Sequence, residues 1–423
     1  MTSRFFMSLL FALAMAACTS TQRTASETVF PPEIAFLERR VADDPGDYTA
    51  WNRLGYAYLR TLRLTGNHDF LDGALRAAEA SMSALGAPEN RAGLMLLARA
   101  RQANHEFGMA RDLARQLLEI DPDNADYWAI LSDSLLELGD YDQARGALGR
   151  MYDAGGSTLG SETRVSRQHM LHGRTAQARG HLEKALRHAQ ASPGQPENLA
   201  WCHWQLGELA FSSGDLDGAE RHYDEALRVL PTFIPALGAR GRMLAARGRI
   251  DAAIEAYEKA TESDPVPPFV AVLSDLYRAR GDQRRADALM RVVDEGAQSA
   301  RDRRLDRRHL SLIYADRDRR LEEAYDLAVA DYAERPDIYA ADTLAWAALK
   351  TGRLDEARRA IAAATRLGTP DAKILYHAGM IARASGDLAG SRELLARAIA
   401  LNPHFDFRQS QVARNALAEI AVR

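Results

Sequence analysis

Six side chains in one stretch of this 423-residue sequence have the chemistry to bind a metal ion: His169, His172, His181 and His188, then the adjacent pair Cys202 and His203. His169 and His172 are three residues apart, a helical spacing that can chelate. Three of them also have a structural use. His203 stands where a large packing residue belongs, and His188 falls near a helix end, where a partly cationic ring suits the dipole. Cys202 reads as a small buried hydrophobe. A metal needs convergent geometry that spacing does not provide, so no metal site and no cofactor is assigned. With Cys18 and Cys202 as the only cysteines, neither a disulfide framework nor a cysteine-rich zinc site can be built. There is no Gly-rich phosphate loop, no Gly-x-Ser-x-Gly elbow and no His-Glu-x-x-His pair, so no catalytic residue is assigned and an enzyme is not expected.

Composition narrows the partners. The chain is 47% apolar and 26% charged, as folded globular proteins are, and its length alone suggests about three domains at ~150 residues each. Lys plus Arg (54) nearly balance Asp plus Glu (58), and a nucleic-acid binder would carry a basic excess on one face. The Arg-rich stretch from Arg278 to Arg320 looks like such a patch until its carboxylates are counted. Asp282, Asp287, Asp294, Glu295, Asp302, Asp306, Asp316 and Asp318 are interleaved with it, which reads as a solvated, salt-bridged surface.

Residues 1–17 have the shape of a secretory signal: Arg4 at the start, an apolar core from Phe5 to Met15, then Ala16-Ala17. The core is too short to span a bilayer. Met15-Ala16-Ala17-Cys18 resembles the lipobox of bacterial lipoproteins, with Met15 where leucine is usual. That resemblance implies acylation of Cys18 as the mature N-terminus, although Ala14-Met15-Ala16 also offers an ordinary signal-peptidase site. Residues 18–30, the cysteine followed by the polar run Thr19 to Thr28, are then expected to form a flexible tether. Loss of Arg4 takes the net charge from −4 to −5, so anionic lipid holds no attraction for the body and the acyl chains alone would anchor it. Thr19 after the cysteine, in place of aspartate, points by the family's sorting rules to the periplasmic face of the outer membrane.

The elements that position everything else are repeated. Gly139 to Ala144 (GDYDQA) is echoed at Gly214 (GDLDGA), Gly248 (GRIDAA), Gly352 (GRLDEA) and Gly386 (GDLAGS), each before a helix that ends near a proline such as Pro231, Pro265 or Pro403. This resembles the tetratricopeptide repeat. Its frame gives ten repeats over residues 48–405, starting at Tyr48, Arg91, Ala125, Leu159, Ala200, Ile234, Pro267, Leu305, Ile338 and Ala372. Loops are expected at Gly66–Gly73, Ser192–Glu197 and Arg301–Arg304. Repeat four is degenerate, and repeat eight is poor in motif residues. The resemblance implies an all-α, right-handed superhelix of helix pairs, one α solenoid in place of three domains. Residues 31–46 and 406–423 are expected to cap it. In the second cap Val412, Leu417 and Ile420 would face the stack, and Arg408, Gln409, Arg414, Asn415 and Glu419 would face water.

In this family, positions 2, 5, 9 and 12 of each first helix line the concave groove. They supply Trp201, Trp204, Glu208 and Phe211 in repeat five, Arg242 in repeat six, Tyr339, Asp342 and Trp346 in repeat nine, and Tyr376 in repeat ten. These rings either pack the superhelix or anchor a partner segment, and exposure separates the two. The expected function is a scaffold or adaptor of the bacterial cell envelope. Its partners would be proteins or peptides held in the groove, with no nucleic acid and with membrane contact through the lipid only. The alternative is a periplasmic carrier or enzyme-associated accessory protein with a metal or small ligand near His169 and Trp204.

Overall fold

The computed structural model describes residues 32–65, 68–192, 194–262, 265–300 and 307–421; Cys18, the tether, the Arg301–Arg304 loop and the start of repeat eight lie outside them. Among the described residues the chain is all α, with 22 helices and no strand. Pro32–Asp43 precedes ten helix pairs, and Gln409–Ala421 follows them. The pairs of repeats one to five are Tyr48–Thr65 with Asp69–Ala84, Arg91–Ala103 with Phe107–Ile120, Ala125–Glu137 with Tyr141–Gly155, Leu159–Leu171 with Thr175–Gln190, and Pro196–Ser212 with Leu216–Val229. Those of repeats six to ten are Ile234–Ala246 with Ile250–Thr261, Pro267–Ala279 with Gln283–Ala300, Arg307–Asp316 with Leu321–Glu334, Ile338–Lys350 with Leu354–Ala364, and Ala372–Ala384 with Leu388–Leu401.

Two sequence features make each pair. In repeats two to ten the turn between the helices uses a left-handed residue, supplied by Gly139, Gly173, Gly214, Gly248, Gly281, Gly352 and Gly386, by His105 (φ 57°) in repeat two and by Asp318 (φ 51°) with Arg320 (φ 44°) in repeat eight. Where aspartate follows, as at Asp140, Asp215 and Asp387, its carboxylate accepts a backbone N–H of the second helix and caps it. The eighth residue of the repeat frame is small in every repeat but the eighth, so the helices approach closely. Ser132, Ser166 and Ser274 donate to the carbonyls of Ala144, Ala178 and Ala286 at 2.8–2.9 Å. At Gly207 the gap is filled by a ring: an added Cβ would lie 2.4 Å from Cε1 of Tyr223.

The solenoid also closes on itself. The Ile338 N–H donates to the Tyr141 hydroxyl at 2.9 Å across 197 residues, and the Thr369 hydroxyl donates to the Leu171 carbonyl at 2.6 Å across 198. The Asn402 amide donates to the Phe211 carbonyl at 2.8 Å across 191. Each bond joins a turn of repeats three to five to the chain entering repeat nine, repeat ten or the final helix, so successive superhelical turns lie about six repeats apart and touch. The seam is apolar as well, since Ile338, Ala341 and Ile374 share one core with Leu94, Leu135 and Leu171.

The insertions differ from expectation. The extra residues of repeat one lengthen its helices to 18 and 16 residues, so residues 69–73 are helical where a loop was expected. In repeat five the first helix starts at Pro196, four residues before the frame, because proline at the first turn costs no hydrogen bond. The final cap is rotated: Val412 is exposed at 44%, whereas Gln409 is buried and Ala413 and Ala416 face the stack with Leu417 and Ile420. Gln409 is buried because its amide donates to Asp316 of repeat eight.

Candidate functional site

The first helices of the repeats form the inner face, and the superhelical winding decides which of its side chains still meet solvent. Around repeats nine and ten the candidates are buried. Trp346 and Tyr376 are each 2% exposed and Asp342 is 5% exposed. Trp346 donates from Nε1 to Asp316 Oδ1 at 2.8 Å and stacks on His377 at 4.3 Å, and the Asp342 carboxylate meets Nδ1 of His377 at 2.9 Å. Their partners are thus internal, and these three residues are not surface anchors. Tyr376 is covered in part by the segment 402–409, which lays Phe405 on it at 5.5 Å, while Trp346 and Asp342 are enclosed by neighbouring first helices through Asp316 and His377.

Repeats five and six show a second internal network. Phe211 is 4% exposed, under the Arg242 guanidinium at 4.2 Å, and is likewise not a surface anchor. Arg242 donates to both oxygens of Glu208 at 2.6 and 2.8 Å, and the Tyr223 hydroxyl donates to the same carboxylate at 2.8 Å. Glu208 and Arg242 therefore neutralise each other across two repeats, leaving little charge to offer a ligand. Trp204 is half-buried, edge-on to Phe233 at 6.2 Å and to Trp201 at 6.4 Å.

Two candidates 138 residues apart, Trp201 and Tyr339, do come together. Both line an open groove of about 640 Å³ on the inner faces of repeats two to five, where Tyr339 of repeat nine overhangs it across the seam. Trp201 is half-buried and Tyr339 is 36% exposed. The floor between them is polar. Arg164 chelates Asp133 with bonds of 2.7–3.0 Å, and Arg167 meets Glu137 at 2.5 Å. Burial pushes the Glu137 carboxyl up, but the Arg167 charge outweighs it and holds the group below the usual carboxylate range. Burial raises the Tyr339 hydroxyl, so it stays a neutral donor. Gln205, Met170 and Thr163 complete the wall. The groove rule marks Asp133 and Arg167 at position 9 of repeats three and four, so the signal for this floor lay in the sequence. Outside the groove, Arg63 of repeat one reaches Glu197 of repeat five at 3.7 Å.

The histidines are dispersed. His181 Nδ1 meets Glu162 at 2.6 Å and stacks on His169, His188 meets Ser157 at 3.0 Å, and His203 meets His222 at 3.3 Å. Among the described residues no three His, Cys, Asp or Glu side chains are placed to share a metal ion. Cys202 is fully buried, and burial pushes its thiol up to about 12. Within the Arg-rich stretch Arg319 pairs with Asp294 at 2.8 Å and Arg278 with Asp287 at 3.3 Å, as expected, whereas Arg317 turns inward to Asp275 of repeat seven at 2.5 Å, a buried pair in place of a solvated one.

Two family models described as tetratricopeptide repeat match the chain, one over residues 161–232 and the other over 95–158, 205–267 and 343–404. Together they span a little over half of it. No curated protein matches. Similar solved structures include PilW, described as a widely conserved type IV pilus biogenesis factor, at 18% identity over 48% of this chain and 91% of that one, with a TM-score of 0.41. The human IFIT1 dimer with PPP-AAAA is 15% identical over 87% and 94%, with a TM-score of 0.45. Pseudomonas aeruginosa PilF is 16% identical over 50% and 91%, with a TM-score of 0.37.

Proposed function

The chain belongs to the tetratricopeptide-repeat family, and on that premise we propose that it is a protein-interaction scaffold of the bacterial cell envelope, tethered through acylated Cys18 at the periplasmic face of the outer membrane. Its partner is an extended polypeptide segment that enters the groove of repeats two to five. The observation that carries this reading is the pairing of Trp201 with Tyr339 over a floor of balanced ion pairs. Two amphipathic rings border an open groove of about 640 Å³, and the polar side chains of its floor can bond the backbone of an extended segment. The Asp133–Arg164 and Glu137–Arg167 pairs offer hydrogen bonds without a net charge, so the groove selects by shape and polarity more than by long-range attraction.

The test is capture from detergent-solubilised envelope with the full chain, wild type against Trp201→Ala/Tyr339→Ala, read by mass spectrometry. Loss of a defined set of polypeptides from the variant is expected, and an identical set from both proteins would sink the groove assignment. Mass analysis of the mature N-terminal peptide decides the anchor: diacylated or triacylated Cys18 is expected, and an unmodified peptide beginning at Ala17 or Thr19 overturns it.

A further inference from the structure

The inner face of repeats five to eight already holds a peptide, and that peptide is this chain's own. Between repeat ten and the final helix, residues 403–408 leave helical structure and cross the first helices of earlier repeats. Asn402 pins the start on the Phe211 carbonyl of repeat five. Phe407 packs against the cluster of Phe211, Met243 and Tyr257, and Phe405 lies against Tyr376. Arg408 donates to Asp275 of repeat seven at 3.3 Å. Asp406, between the two rings, accepts the Arg408 and Gln409 N–H groups at 2.8 and 2.9 Å, which sets the bend that sends both rings to the wall.

The seating is by side chains alone: among the described residues, no backbone group of 403–408 is hydrogen-bonded to the helices of this face. It is also incomplete. Both phenylalanines stay half-buried, and a cavity of about 320 Å³ remains beside them, lined by Arg242, Val272 and Arg317. The Arg317 side chain is 8% exposed and its Nε, like that of Arg242, has no acceptor. A well-packed interior leaves few such voids and few such orphaned donors.

We propose that this face is a recognition site for an extended segment of a partner protein bearing two aromatic side chains two residues apart followed by arginine, and that Phe405–Arg408 are its resident, competing occupant. The proposal rests on reading the inner face as the binding surface, but on a stretch separate from the Trp201–Tyr339 groove. The spacing of two comes from the arm itself, whose rings enter neighbouring apolar patches. The arginine comes from Asp275, a buried carboxylate that already collects Arg317, Arg278 and Arg408. In cis the arm faces its site at an effective concentration on the order of millimolar, so a free segment must compete with it.

The test uses the full chain and a fluorescein-labelled peptide with the sequence of residues 402–410, followed by anisotropy. Phe405→Ala/Phe407→Ala, which weakens the arm, is expected to bind the peptide at least tenfold more tightly than wild type. Asp275→Asn in that background, or alanine for the peptide's arginine, is expected to remove about tenfold. Trp201→Ala is expected to leave binding unchanged, so a failure here is separable from a failure of the other groove. A folded double variant that binds no better than wild type overturns the proposal, as does loss of binding in Trp201→Ala. If the double variant does not fold, wild type decides: millimolar peptide should speed amide exchange at Phe405–Gln409, and unchanged exchange overturns the proposal.

Discussion

Among single residues, histidines carry the pH response of this fold. Burial, reinforced by the Arg335 charge, brings the His105 ring down to about 4; burial and the neighbouring His203 do the same to His222. Both are therefore neutral in the folded chain at neutral pH. An unfolded histidine takes up its proton near 6.5, so between about 6.5 and 4 the unfolded state binds more protons than the folded one. Stability is accordingly full above that window and falls as the pH drops through it. Urea midpoints at pH 7 and pH 5 should differ, and His105→Asn/His222→Asn should shrink the difference, since asparagine tolerates the left-handed turn at 105 and does not titrate. An unchanged difference would mean that the protons are taken up elsewhere. The same residue scale shows the limit of sequence reading. Trp346 and Tyr376 occupy positions that line the family's groove, yet both are buried, Trp346 against His377 and Tyr376 under Phe405 of a segment well downstream.

At the scale of the helix pair, the sequence is nearly transparent. Every repeat start given by the turn phrase and the repeat frame falls at or within a few residues of a helix start where the structure describes it, and even repeat four forms an ordinary pair, Leu159–Leu171 with Thr175–Gln190. The information is local: a left-handed residue, a cap and a small contact residue are each read from one side chain. Insertions were less legible, because extra residues that extend a helix and extra residues that loop out have the same length. The cap is the element-level variable that can be tested. Asp140 caps its helix, whereas Arg249, exposed at the equivalent position, provides no side-chain cap. Asp140→Ala should cost ~1 kcal/mol, and Arg249→Asp should add about 0.5–1 kcal/mol, both measured by urea denaturation. If Arg249→Asp were neutral, the turn of repeat six would already be at its optimum for another reason.

For the whole molecule, the sequence reading implies a quasi-one-dimensional stack in which each repeat answers only to its neighbours. The seam between superhelical turns is invisible to it, because nothing in a 34-residue period records which residue lies some 195 positions away. Contacts such as Tyr141 with Ile338 arise from the pitch, which is the sum of many small inter-repeat rotations. Two glycines isolate the consequence. Gly139 and Gly248 occupy the same turn position with the same φ of 72°, so alanine carries the same left-handed strain at both, ~1–2 kcal/mol. Around Gly248 there is nothing within 4 Å of an added Cβ, whereas at Gly139 it would lie 2.4 Å from the Pro336 carbonyl oxygen and 2.7 Å from Arg366 Nη2. Gly139→Ala should therefore destabilise by ~1–3 kcal/mol more than Gly248→Ala, the usual range for overpacking. The location of the damage matters more than its size. Hydrogen exchange in Gly139→Ala should quicken both around Tyr141 and around Ile338–Ala341, with repeat six protected as in wild type, while Gly248→Ala should quicken exchange only near its own turn. A response confined to repeat three would return the molecule to nearest-neighbour behaviour, and the seam would then be a contact without energetic weight.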